Sequence, residues 1–311
     1  MKYAAAFVAI VLCFAGSYEA SLVGEGVIST PDDESGFAVT PDGKTAFFTK
    51  TGAATTGDPI QMICVVHSDG KGHWGKPEIA PFSSAKAHDL GPALKPDGSR
   101  LYFVSDREKQ DLDIWYVDRV GEGWSDAHLL PGPVNSTANE YGVSVAANGT
   151  LYFASSRKGG NGSFDLYRSK LEDGEYKTVE NLGDAVNTKG PELQPAISPD
   201  ESMLVFTAYG RDDEIIGIHK TYAHGDLYVS LQKDGVFGAA RNCGAPVNSG
   251  GGESWPGFSS DGSRLFFTSD RGFATYRMTR RLSLAELERG IRSRLNGMGN
   301  VWQIDSNVLR R

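Results

Sequence analysis

Cysteine is scarce. The 311-residue chain carries three, at positions 13, 64 and 243. That excludes a disulfide-dense scaffold, and no Cys-x-x-Cys pair stands for a zinc or redox site. Positive charge is in deficit too: 31 Lys and Arg against 39 Asp and Glu leave a net charge of −8. Such a chain lacks the basic footprint of a nucleic-acid binder. Long apolar runs are missing except for Ala4 to Phe14, which follows Met1-Lys2. This run is short for a membrane span and reads as a secretory signal over residues 1–17, ending near Ala15-Gly-Ser17, with a membrane anchor as the alternative. Leu12 before Cys13 does not suit a lipoprotein site. No Gly-x-Ser-x-Gly elbow, His-Glu-x-x-His, phosphate loop or sialidase-type Asp-box is present.

What is there is a repeat. Glu34-Ser-Gly-Phe-Ala-Val-Thr-Pro-Asp-Gly43 returns as Asp89-Leu-Gly-Pro-Ala-Leu-Lys-Pro-Asp-Gly98 and Glu140-Tyr-Gly-Val-Ser-Val-Ala-Ala-Asn-Gly149. It returns again as Glu192-Leu-Gln-Pro-Ala-Ile-Ser-Pro-Asp-Glu201 and Glu253-Ser-Trp-Pro-Gly-Phe-Ser-Ser-Asp-Gly262, with spacings of 55, 51, 52 and 61 residues. Periods of this size indicate repeat architectures. Each turn is followed by an apolar run such as Leu101-Tyr-Phe-Val-Ser-Asp-Arg107, then by a third such as Asp113-Ile-Trp-Tyr-Val117. A short fourth segment follows in four copies: His73-Trp74, Gly123-Trp124, Glu175-Tyr176 and Val236-Phe237. Runs of aromatic and β-branched residues bounded by Gly, Pro, Asp or Asn are strand signals, and Asp-Gly marks hairpins.

Four short strands per repeat, repeated radially, predict an all-β propeller over residues 21–311. The second strands are apolar on both parities, as sheets covered on both faces require. The first strands carry small residues on one parity (Gly36 and Ala38, Gly91 and Ala93), as crowding near an axis demands. Five blades are counted, with six as the alternative. The last repeat stops after its third strand, so Leu22 to Ser29 is expected to supply the fourth and close the ring, removing exposed edges. A helical insertion is expected near 283–295: Ser283 and Glu286 form a capping box, and Leu284, Leu287, Ile291 and Leu295 share a face. Cys64 and Cys243 fall in non-adjacent repeats and are expected to be free, buried thiols. Asn135, Asn148 and Asn161 begin glycosylation sequons.

The combination Pro-Asp-Gly, Leu-Tyr-Phe-x-Ser-Asp-Arg and Asp-Ile-Trp resembles the WD40-like repeats of the TolB-like β-propeller family, over nearly all of residues 34 to 311. Copy one lacks the Ser-Asp-Arg ending, and copy four has Glu201 in place of Gly. The resemblance implies a propeller that binds a partner; fold alone does not assign a function.

Five acids begin the innermost strands: Glu34, Asp89, Glu140, Glu192 and Glu253. Equivalent blades would gather them at one channel mouth. One reading is a site for a cation, calcium included, since calcium takes several oxygen ligands. The other is blade-locking ion pairs. Folding each hairpin about a two-residue turn sets Glu140 opposite Arg157, Asp89 and Glu253 within one residue of Arg107 and Arg271, and Glu192 within two of Arg211. Arg suits a carboxylate through its planar fork. Gly52 stands where blade one would need its Arg, so Glu34 is expected to be free for a ligand.

The same face receives the long loops at 211–225 and 272–300. With Arg280, Arg281, Arg289, Arg292 and Arg294 on the helical insertion, it forms either a solvated lid or a partner-binding wall. Trp255 occupies a column that is Gly in three copies and Gln194 in another; it lines the channel and stacks on a sugar ring, or it packs. His219 and His224 match no metal spacing, and Asp106, Glu108, Asp111 and Asp113 crowd one loop. Two functions follow. One is a secreted or periplasmic, monomeric binding module for a protein, peptide or glycan. The other is a carbohydrate-active hydrolase or lyase with Glu34 and Glu140 or Glu253 as its carboxylate pair.

Overall fold

The structure is a computed structural model that describes residues 18–52, 59–84, 86–108, 111–215, 225–271, 283–293, 295–296 and 298–311. The signal segment, His219, His224, Arg280, Arg281 and Arg294 lie outside the described residues.

Five antiparallel sheets follow one another along the chain. The first blade is built from Asp33–Val39, Thr45–Thr51, Gln61–His67 and Glu78–Ile79. The second uses Asp89–Leu94, Arg100–Ser105, Asp113–Val120 and His128–Leu129. The third uses Glu140–Val145, Leu151–Ser155, Asp165–Ser169 and Glu180–Asn181. The fourth uses Glu192–Ile197, Met203–Ala208, Asp226–Lys233 and Arg241–Asn242. The fifth combines Glu253–Phe258, Arg264–Ser269 and Asn300–Asp305 with Ser21–Leu22 from the start of the chain. Leu22 pairs with Trp302, and the Val23 N–H donates to the Val301 carbonyl. The innermost strand of every blade contacts those of both neighbours, blade five and blade one included, so the ring is closed with five blades.

The core is not one mass but five seams. One apolar cluster fills each blade-to-blade interface; Tyr152, Leu166, Phe206 and Tyr228, for instance, join blades three and four. The other four clusters fill the remaining seams, the closing one included. Second strands are buried on both faces, Met203–Ala208 along its whole length. Each fully buried Leu or Phe contributes about 1.5–3 kcal/mol, and a wedge covered on both sides uses both parities of its strands.

Two expectations need correction. The fourth segments (Gly123–Trp124 and its equivalents) are only the returning arm of a hairpin; the outer strand of the blade is the next pair, such as His128–Leu129, on the same third strand. The hairpin registers also differ from the simple fold-back, by one residue in most blades and by two in the third, where Glu140 faces Ser155, not Arg157. A β-bulge at Gly142 and a longer turn absorb the difference. Glu201 takes the glycine position of its turn with φ 60 and accepts from Tyr152 and Asn148 of the preceding blade, which offsets the left-handed backbone. The helix spans Leu284–Ile291 with the capping box in place, yet Leu284 and Leu295 of its apolar face are exposed. Cys64 and Cys243 are both unpaired; Cys64 is buried and Cys243 half-buried. Asn135 is consumed internally, accepting from the Ile114 N–H and donating to Ile114 and Leu130 carbonyls.

Candidate functional site at the channel mouth

The five acids do stand at the starts of the five innermost strands, and each is 0% exposed. A buried carboxylate needs hydrogen bonds and a countercharge, and the sequence around each one supplies both. In four blades a Ser or Thr four residues earlier donates its backbone N–H and its hydroxyl: Thr30 to Glu34, Ser136 to Glu140, Thr188 to Glu192 and Ser249 to Glu253. In blade two the Ser84 N–H and the Ser83 hydroxyl do this for Asp89.

Arginine completes blades two to five. Arg107 meets Asp89 at 2.7 Å, Arg157 meets Glu140 at 3.1 Å, Arg211 meets Glu192 at 2.9 Å and Arg271 meets Glu253 at 3.4 Å. Each guanidinium lies over two aromatic rings of its own blade, with centroid distances from 4.6 to 5.2 Å. Each also donates to a backbone carbonyl of the incoming linker, at Phe82, Val134, Val186 and Val247. One side chain thus staples strand, linker and acid through charge-assisted hydrogen bonds and cation–π contact.

Glu34 is not free, contrary to the expectation from Gly52. Lys50, directly opposite in register, reaches it at 3.2 Å and reaches Asp32 at 2.7 Å. Burial nonetheless pushes the Glu34 carboxyl above its ordinary range, outweighing Thr30 and Lys50. Burial likewise raises Glu253 against the pull of Ser249, Ser269 and Arg271, and it lowers Arg271. Glu34, Glu140 and Glu253 are thus each buried and held by a cation of their own blade. Among the described residues, no group of three or more His, Cys, Asp or Glu side chains is placed to hold a metal ion.

Two positions beyond each acid, the chain bulges. Gly36, Gly91, Gly142, Gln194 and Trp255 occupy this column, all with φ between 47° and 78°. Thr side chains fix it: Thr268 and Thr49 of the preceding blades accept from the Gly36 and Gly91 N–H groups, and Thr207 of the same blade donates to Gln194. Trp255 fills the centre. A Cβ placed on Gly91 would lie 2.2 Å from the indole, so glycine is required there by close approach as well as by φ. The indole leans on Tyr141 with centroids 5.4 Å apart, and the Trp255 backbone N–H donates to Gln194 Oε1. Below it only about 60 Å³ of channel remains.

Above this plug opens a cavity of about 430 Å³. Blades one, four and five meet there, and its walls include Asp33, Ser35, Gln61, Tyr209, Thr268 and Asp270, with Trp255 also in the lining. Gly225 and Met298, at the ends of the two long loops, lie on its rim, so those loops do leave from this face. Reading the sequence found Trp255 and the acids but missed the cavity walls. It also missed the Ser/Thr at −4 and the Val-Asn pairs whose Asn187 and Asn248 pin Leu166 and Leu227 as Asn135 pins Ile114. Both signals repeat in the sequence and were there to be found.

No protein-family model matches the chain, and no curated protein matches it. Among solved structures it is similar to a protein assigned as TolB from Agrobacterium tumefaciens, at 19% identity over 73% of this chain and 89% of that one, with TM-score 0.41. It is similar to a Mycobacterium tuberculosis puromycin-hydrolyzing peptidase at 15% identity over 86% of this chain and 41% of that one, with TM-score 0.43. It is also similar to a chain of a nidogen–laminin complex, at 14% identity over 77% and 73%, with TM-score 0.45. The chain thus spans less than half of the peptidase's length. Superpositions this loose leave the fold resting on blade order and ring closure, which agree with the TolB-like repeats.

Proposed function

We propose that this chain is a secreted or periplasmic propeller that binds a segment of another protein, or a peptide, at the loop-bearing mouth of its channel. One observation carries the reading: a cavity of about 430 Å³ with an indole and a phenol among mixed polar walls, set where three rigid blades meet. Sites of this size, part aromatic and part polar, are where ligands are held. The acid ring supports the reading from beneath, because its internal pairs spend those charges on rigidity. Trp255 and the cavity walls are then the binding residues, and Arg107, Arg157, Arg211 and Arg271 hold the frame. A glycan stacked on Trp255 is the competing occupant.

The test is a footprint. The full chain is screened against displayed random octapeptides and against an oligosaccharide array, and hydrogen exchange is measured with the best binder. Protection at Asp33–Ser35, Gly252–Trp255 and Gly299 is the expected result. Protection confined to the Pro-Asp-Gly turns at the opposite face would sink the proposal.

A further inference from the structure

We infer that the cavity is a cation pocket, built to take the basic side chain of a lysine or arginine in the bound segment; this rests on the polypeptide-binding reading above. Asp33 lines it, and among its described lining residues there is no Lys, Arg or His. The five ring acids at this mouth each meet a Lys or Arg. Asp33 departs from that pattern, although it is the immediate neighbour of Glu34. The Lys50 ammonium, which stands on the facing strand, goes to Asp32 and Glu34 instead. Asp33 Oδ1 accepts the Gly299 N–H at 3.1 Å, which fixes the carboxylate, while among the described residues no protein group donates to Oδ2.

The other walls fit the same guest. Trp255 lines the cavity and is held against Tyr141, and tryptophan is the strongest aromatic partner for a cation. Ser35, Gln61 and Thr268 offer further oxygen acceptors around the walls. An acidic guest would face like charge. A neutral sugar would use the indole but leave Asp33 shielded from water without a countercharge, which is unfavourable. A basic side chain answers both.

The experiment uses the full chain and its Asp33→Asn variant. Asparagine keeps the oxygen that accepts from Gly299 and removes only the charge, and thermal melting verifies that the variant is folded. Both proteins select octapeptides from one randomised library. The strongest wild-type binder is then titrated by calorimetry before and after Nε-acetylation of its lysines or replacement of its arginines by citrulline. Enrichment of Lys and Arg with the wild type, lost with Asp33→Asn, is expected, together with at least tenfold weaker binding after either change. Trp255→Phe separately removes a fluorescence change on binding. Peptides that bind at this mouth equally well after acetylation would overturn the cation pocket and leave the polypeptide reading standing. Saturable binding of a neutral oligosaccharide, with no peptide of any charge bound, would overturn both.

Discussion

The ring of acids and the cavity directly above it share one end of the channel and treat charge in opposite ways. In the ring, Glu34, Asp89, Glu140, Glu192 and Glu253 are sealed from solvent, and each is given a cation and a Ser or Thr donor. In the cavity, Asp33 stands in a wall whose described residues supply no cation. The lesson is that an acid's place in a repeat does not fix its role. Pairing inside the blade turns a carboxylate into a joint, and its absence leaves one facing a space for a partner.

Breaking a joint should have the largest effect. Arg157→Met removes the countercharge from a fully buried Glu140 along with two carbonyl contacts at the linker. A loss of about 3–5 kcal/mol is expected, read from the denaturant midpoint of unfolding. An unchanged midpoint would show the ring to be ornamental. Asp33→Asn, at the cavity, should move that midpoint by less than about 0.5 kcal/mol, as for a surface change away from a buried pair.

The plug between the two regions comes next. Gly91→Ala puts a methyl group against the Trp255 indole at a φ of +64°. Overpacking and the left-handed backbone together predict a loss of about 2–4 kcal/mol. In a Trp255→Gly background the same substitution should cost about half as much, because the clash vanishes and the backbone penalty remains. A purely additive double variant would show that the two side chains do not meet. Lys50→Met in blade one should cost less, about 1–2 kcal/mol, since the ammonium is a third exposed and partly screened.

That smaller blade-one effect traces to what the sequence hid. The repeat, the closing strand at Leu22 and the doubly apolar second strands were legible, because turn chemistry and side-chain parity are local. The Lys50 pairing was not, because a search for Arg past the strand end assumed a bulge-free hairpin. The bulge at Gly36 shifts the register so that Glu34 faces Lys50 itself. Three glycines in one column encoded that bulge, with Gln194 and Trp255 disguising it in the other two blades. The cavity had no local signal at all. It arises where Asp33, Tyr209 and Asp270, far apart in sequence, are brought together by ring closure.

The smallest expected effect sharpens the comparison through pH. Burial raises the carboxyls of Glu34 and Glu253 above their ordinary 4.5, and that of Asp226 above 3.8. Between the ordinary value and the raised one, the folded chain holds protons that the unfolded chain has released. Unfolding free energy must then fall as pH rises through that window, and the penalty is complete above it. Acids with lowered values, Asp42, Asp97 and Asp200 among them, act only below their ordinary 3.8, where stability falls as pH drops. The windows therefore separate, and a stability maximum is expected near the ordinary Glu range. Glu34→Gln with Glu253→Gln should flatten the descent above pH 4.5, whatever the two substitutions do to absolute stability. A descent that survives in the double variant would mean that the protons are held elsewhere, with Asp226 the next group to replace.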